Sequence, residues 1–303
     1  MTHYQLVANN KRRSTIIIAG FIIFTVTAVA VMVTAFNLDS SLIAIASIFS
    51  GSTAFASYWW SDKIILAISS ARPATREEFF DFYTTVENLS MSQRLPMPKL
   101  YVIDDSAMNA FATGRNPQNA VICATTGLLA RLNRSEVEAV MAHELAHVAN
   151  YDILLMSVVA ILVGMISLIS DWFLRLSWGR GSRKSDKDGH GQLSILIFVV
   201  GLLLALLSPL VAQLIKLALS RRREHLADAT GVAFTKNPAG LANALLKISQ
   251  DKEPLEAANK ATAHLYIANP LKNHHDAVGW FSGLFQTHPP IKERVKKLQS
   301  MIS

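Results

Sequence analysis

Four long runs, free of acids and nearly free of bases, restrict what this chain can fold into. They extend from Ser14 to Leu38, from Ser40 to about Ser61, from Ile153 to Ser170 and from Leu193 to Leu219, and Lys216 is the only charge inside them. A helix of about 20 apolar residues crosses the hydrocarbon core of a bilayer, and each run has that order of length. Half of the chain is hydrophobic (51%) and 17% is charged, less than the roughly 25% of ordinary soluble domains. The expected fold is a mainly α membrane protein with transmembrane helices at 15–36, 40–61, 153–172 and 193–219, preceded by a cytoplasmic tail at 1–14. Val33-Thr34-Ala35 resembles a signal-peptide processing site, but the first run exceeds the 7–15 residues of such a segment, which favours an uncleaved anchor. Tyr58, Trp59 and Trp60 fall where an interfacial aromatic belt belongs. The last two runs also fit a hydrophobic hairpin buried in protein, and Ser208-Pro209 predicts a kink in the fourth.

Between and after the runs lie two polar segments, residues 72–150 and 220–303, read as the two parts of one α+β domain with a small sheet; 173–192 is a polar loop. Thr75 to Ser90 reads as an amphipathic helix, Lys99 to Ile103 as a strand, and 109–114 and 120–124 as two strands joined by the turn-rich 115–119. An exposed edge of that sheet can pair with an extended peptide; an ordinary hairpin supporting the next helix fits the pattern equally well.

That next helix carries His143-Glu144-Leu145-Ala146-His147. Residues four apart stack on one helical face, so two imidazoles can aim at one tetrahedral zinc while Glu144 reaches a water without becoming a ligand. Ser135 and Glu138 suggest a capping box, and Val137, Met141, Leu145 and Val148 form a buried stripe. At roughly 100° per residue the histidines fall to one side of that stripe, at the rim of the helix and facing a cleft.

A catalytic zinc needs a third protein ligand. Glu224 is the best candidate, with Asp228 four residues on as the acceptor for a ligand imidazole N–H; the competing reading makes both acids solvated partners of Arg221, Arg222 and Arg223. Position favours the first. His147 lies six residues before the third run and Glu224 five after the fourth, so at about 1.5 Å per residue both stand roughly 8–9 Å from a membrane end. An even number of crossings brings them to the same side.

At this point the sequence resembles the HtpX-type membrane zinc proteases, relatives of the CAAX prenyl-protein endopeptidases. The resemblance is carried in order by two N-terminal spans, Asn109-Ala110-Phe111-Ala112, His143-Glu144-x-x-His147, two further spans, Arg223-Glu224-x-x-Ala227-Asp228, and His288-Pro289-Pro290 with Arg294. It implies that the two polar segments form an α+β zincin-like catalytic domain, with one zinc ion held by His143, His147 and Glu224 and with Glu144 as general base. It also implies substrate pairing at Asn109, Ala110, Phe111 and Ala112, and quality control of misfolded proteins in the bacterial inner membrane. His288 becomes the candidate donor to the oxyanion; the residues alone make it one of several late histidines. His225 departs from the resemblance, since relatives often carry an aromatic residue there.

Cys123 is the single cysteine, which excludes an internal disulfide and a Cys-based zinc site. The net charge of +7 comes without a basic stripe interleaved with aromatics, so it speaks for lipid headgroups and span orientation, not nucleic acid. Basic residues at 11–13, 63, 72, 76 and 221–223 place the catalytic domain in the cytoplasm, against a smaller group between 175 and 187. Two competing classes are a transporter-like protein with an accidental motif and a scaffold with a non-catalytic zinc. Protein substrates and the bilayer are the expected partners.

Overall fold

The computed structural model describes residues 3–36, 39–178, 221–258, 262–268, 270 and 289–302. In chain order its elements are helices α1 (His3–Phe36), α2 (Ser41–Trp59) and α3 (Ser61–Ile68), strand β1 (Arg72–Pro73), helix α4 (Phe80–Ser92), strands β2 (Lys99–Ile103), β3 (Ala110–Gly114) and β4 (Ala120–Thr125), then helices α5 (Thr126–Arg131), α6 (Arg134–Ala149), α7 (Asp152–Trp178), α8 (Arg221–Thr235), α9 (Pro238–Gln250) and α10 (Ile291–Gln299).

Helices α1, α2 and α7 pack on one another. The outward faces of α1 and α2 invert the usual order: Ile16, Ile23, Val31, Ile45, Ile48 and Phe55 are each more than half exposed. Apolar surface of that extent is stable against lipid and not against water. Among the described residues two helices are long and apolar enough to cross a membrane, Val7–Val31 and Ser41–Trp59; a third counts if Arg134–Ala149 and Asp152–Met165, bent by 85° at their break, form one span. The described residues thus hold two to three candidate spans, where four were expected over the whole chain. The expected fourth run, 193–219, and most of the polar loop lie outside the described residues.

The sheet has the order β1-β2-β4-β3, with β2 and β4 parallel and the other pairs antiparallel. Alternation along its strands assigns the two faces. Leu100, Val102, Ala110, Ala112, Ile122 and Ala124 join Val86, Val140, Met141 and Leu145 in one core against α4 and α6. Ile103, Phe111 and Cys123 join Ile65, Leu155, Val158 and Leu162 in a second core against α3 and α7. The sheet is thus the layer between helices α4 and α6 on one face and α3 and α7 on the other. Arg115, in the β3–β4 connection, lies 4.4 Å over the Trp59 ring, beside the aromatic cluster at the end of α2. Helix α4 begins later than its amphipathic pattern, because Thr75 first closes a turn with Glu78 and Phe79.

Helix α6 starts two residues before the expected box. The cap is Asn133, whose side chain accepts from Glu136 N at 2.9 Å while Glu136 Oε2 accepts from Asn133 N at 2.9 Å. Ser135 lies inside the helix and accepts from Asn237 Nδ2 at 2.8 Å. The polar-x-x-Glu signature occurs twice in succession, and the earlier one sits where the backbone turns in. The helix is buried on nearly every side from Ala139 to Val148, so its histidines occupy the interior and not the rim. The sheet covers one flank and α8 the other. A single residue in the left-handed region, Tyr151 at φ 60°, then swings the chain into α7.

Candidate metal centre

One turn of α6 separates His143 from His147, and their rings stand at 88° with Nε2 to Nε2 at 3.3 Å. Glu224, in the first turn of α8, brings Oε2 to 3.7 Å from His143 Nε2 and Oε1 to 3.6 Å from His147 Nε2. Tetrahedral zinc with bonds of about 2.0–2.1 Å spaces its ligand atoms roughly 3.4 Å apart, so the three donors fit that ion. Helix α8 can come this close because it presents Gly231 to α6: a Cβ there would meet His143 N at 3.0 Å and His143 Cα at 3.1 Å.

The far nitrogens of both rings are held. His143 Nδ1 lies 3.0 Å from Asp228 Oδ1, and His147 Nδ1 lies 3.1 Å from Asp152 Oδ2. A carboxylate at Nδ1 fixes the proton there and turns the Nε2 lone pair toward the metal. Burial works against a charge on His147, but the Asp152 hydrogen bond and the Glu224, Asp152 and Glu144 carboxylates hold its pKa up at about 9; surroundings that favour a proton so strongly favour a divalent cation too. Asp228 is itself gripped by Arg294, through Nε to Oδ2 at 2.9 Å and Nη2 to Oδ1 at 2.6 Å. Burial alone would raise the Asp228 carboxyl, yet the Arg294 guanidinium and the His143 ring keep it well below the usual carboxylate range. Glu144, Asp152, Glu224 and Asp228 are buried together with Arg223 and Arg294. Four carboxylates against two guanidiniums leave two negative charges, which a divalent ion neutralises.

Among the described residues the cluster able to hold a metal is His143, His147 and Glu224; Glu144 is buried beside it without belonging to it. His225 is turned away, with Nε2 at 3.3 Å from Glu293 Oε1 and 2.8 Å from Lys297 Nζ. Asn109, Ala110, Phe111 and Ala112 lie at the outer edge of the sheet, but that edge is covered: all four are buried, Ile267 N donates to Ala110 O at 3.0 Å, and Asn109 Nδ2 donates to Ala268 O at 3.0 Å. His288 lies outside the described residues.

Asp152 and Arg294 carry roles that the sequence reading did not assign. Asp152 left one signal, an acid at the mouth of an apolar run. Arg294 left none beyond its place in the closing motif.

A model described as Peptidase family M48 matches residues 78–302. A protein described as a Protease HtpX homolog from Thermoanaerobacter pseudethanolicus is 41% identical over 302 residues, covering 99% of this chain and 98% of the relative. Another, from Syntrophobacter fumaroxidans, is 46% identical over 250 residues, covering 81% and 84%. The crystal structure of S. mikatae Ste24p matches 98% of this chain and 66% of its own, with a TM-score of 0.50 at 20% identity, a likeness of fold.

Proposed function

The chain belongs to peptidase family M48 and is a zinc metalloendopeptidase of the HtpX type, and on that premise we propose that it hydrolyses peptide bonds in misfolded or damaged proteins of the bacterial inner membrane under stress, with its catalytic domain facing the cytoplasm. Family membership removes the transporter and scaffold readings. The observation that carries the reaction is the pair of imidazoles with both Nδ1 atoms tied to carboxylates and both Nε2 atoms facing Glu224.

Zinc, when bound, acts as a Lewis acid that polarises the scissile carbonyl and lowers the pKa of water to about 7. The protein does the rest. His143, His147 and Glu224 hold the ion, and Asp228 and Asp152 keep the two rings in register. Glu144 takes the proton from the attacking water and returns it to the leaving amine. His288 donates to the oxygen on which negative charge builds up. The substrate strand runs along β3. Ladder alternation turns the N–H and C=O of Ala110 and Ala112 outward from β4, and engagement at Ala110 exchanges the bond from Ile267.

Residues 72–150 and 220–303 act as one catalytic domain, which the packing of α8 on α6 and of α9 on both α6 and α10 supports. The test is cleavage of casein, an unfolded substrate, by the full chain purified in detergent and supplied with zinc. Zinc-loaded protein that leaves casein intact rejects the proposal; cleavage that stops on chelation and returns with zinc supports it.

A further inference from the structure

Asn10 lies near the start of α1, 142 positions from Asp152 in sequence and in contact with it in space. Its side chain is buried, and Nδ2 donates to Asp152 Oδ1 at 2.7 Å and to Asn150 O at 3.0 Å. The other oxygen of that carboxylate, Oδ2, lies 3.1 Å from His147 Nδ1. Lys11, the next residue, sets its ammonium 4.5 Å from the centroid of the Tyr151 ring. Two successive residues of α1 therefore grip the elbow between the helix that carries the histidines and the helix that enters the membrane.

The chemistry at Asp152 explains why an amide suits this place. The last torsion of an aspartate is soft, with broad and shallow preferences. One hydrogen bond to an imidazole leaves the carboxylate free to swing; a second donor on the opposite oxygen locks the plane. Arg223 Nε stands 3.9 Å from the same Oδ1, too far for a hydrogen bond. Asn10 supplies the close donor. Being neutral, it fixes the carboxylate without competing for the negative charge that Asp152 directs at the His147 N–H.

From these contacts we infer that Asn10 is a positioning residue of the zinc centre, acting through Asp152 on His147, and that α1 helps to hold the metal as well as to anchor the chain. The family match begins at residue 78, so this element is contributed from outside it. The inference rests on the zinc centre described above and on nothing about the substrate.

The test uses the full chain in detergent and two readouts: the rate at which a coloured chelator strips zinc, and the visible absorption of the cobalt-substituted protein, which reports ligand geometry. Asn10→Leu, nearly isosteric, and Asn10→Ala both remove the donor. Each binds one ion per chain at saturating zinc, loses it about 10-fold faster than the parent, and shifts the cobalt bands; outer-sphere partners of metal ligands typically change affinity by about 10–100-fold. Lys11→Met loosens the same elbow without touching Asp152, and it releases zinc at the parental rate. Parental rates and bands in both Asn10 variants overturn the inference. So does a Lys11→Met variant that loses zinc as fast as Asn10→Leu, since packing of the elbow would then account for the effect. A parent chain that cannot retain zinc would reject the centre itself, an outcome distinct from either.

Discussion

Arg294 donates to both oxygens of Asp228, at 2.9 and 2.6 Å, from a position with no solvent exposure, and Asp228 in turn holds His143 at 3.0 Å. Removing one partner of a buried ion pair strands the other's charge, at a cost of about 3–5 kcal/mol. Arg294→Met is expected to destabilise the chain on that scale in detergent melts and to lower its zinc content. Arg294→Lys keeps the charge but loses the fork, and should fall between parent and Met. A Met variant that melts with the parent would show that Arg294 carries no such weight.

Glu144→Gln separates base from ligand. The variant should hold one zinc per chain and lose at least about two orders of magnitude in kcat, the scale of general-base removal. If zinc leaves with the substitution, Glu144 is a ligand and the assignment fails. His288→Phe should likewise keep its zinc while kcat falls and KM changes little, because a donor to the oxyanion acts mainly in the transition state. Equal turnover in that variant would remove His288 from the mechanism.

Glu224 and His225 are neighbours with opposite prospects. Glu224 faces both Nε2 atoms, whereas His225 is engaged with Glu293 and Lys297. Glu224→Ala should abolish tight zinc binding and activity, and His225→Phe should leave both intact. Metal analysis of the two purified proteins decides, and the reverse pattern would put the third ligand on the wrong residue.

Gly231 stands seven positions after Glu224 on α8, two turns along the same face. A methyl group there meets backbone atoms of His143, which cannot rotate away, so the helices must part. Gly231→Ala should cost about 1–3 kcal/mol, as overpacking does, and weaken zinc binding by about tenfold or more if the strain falls on Glu224. Titration with a competing chelator gives the number; parental affinity would mean that α8 shifts without moving its ligand.

For orientation, cysteine probes placed at Ser185 and Ser303 of the chain in intact cells should behave differently. An impermeant reagent is expected to label the first and miss the second. Labelling of Ser303 from outside would invert the topology.

The metal ligands were legible in the sequence because their geometry is local. A spacing of four on one helix presents His143 and His147 together whatever surrounds them, and Glu224 followed from its distance to a membrane end. The surroundings were less legible. The wheel gives the direction of one apolar stripe on α6 but not the number of neighbours, and α8 closes the flank on which a cleft was expected. The capping signature repeats at Asn133 and Ser135, and only the path of the incoming chain chooses between them. Arg294 acts through Asp228, 66 positions away, and Asp152, though only five residues after His147, lies beyond the left-handed turn at Tyr151 where the helical wheel no longer applies, so no periodicity marks either. The strand pattern at 109–114 gave a strand, while its place at the edge comes from the order of the whole sheet and its cover at Ile267 and Ala268 from more than 150 positions away.

His143, Glu144, His147 and Glu224 are each exposed by 3% or less. A centre so deeply set is shielded by its own walls from the ions of the surrounding solution, so dissolved salt screens the attraction between its carboxylates and a cation far less than it screens a pair of charges on the surface.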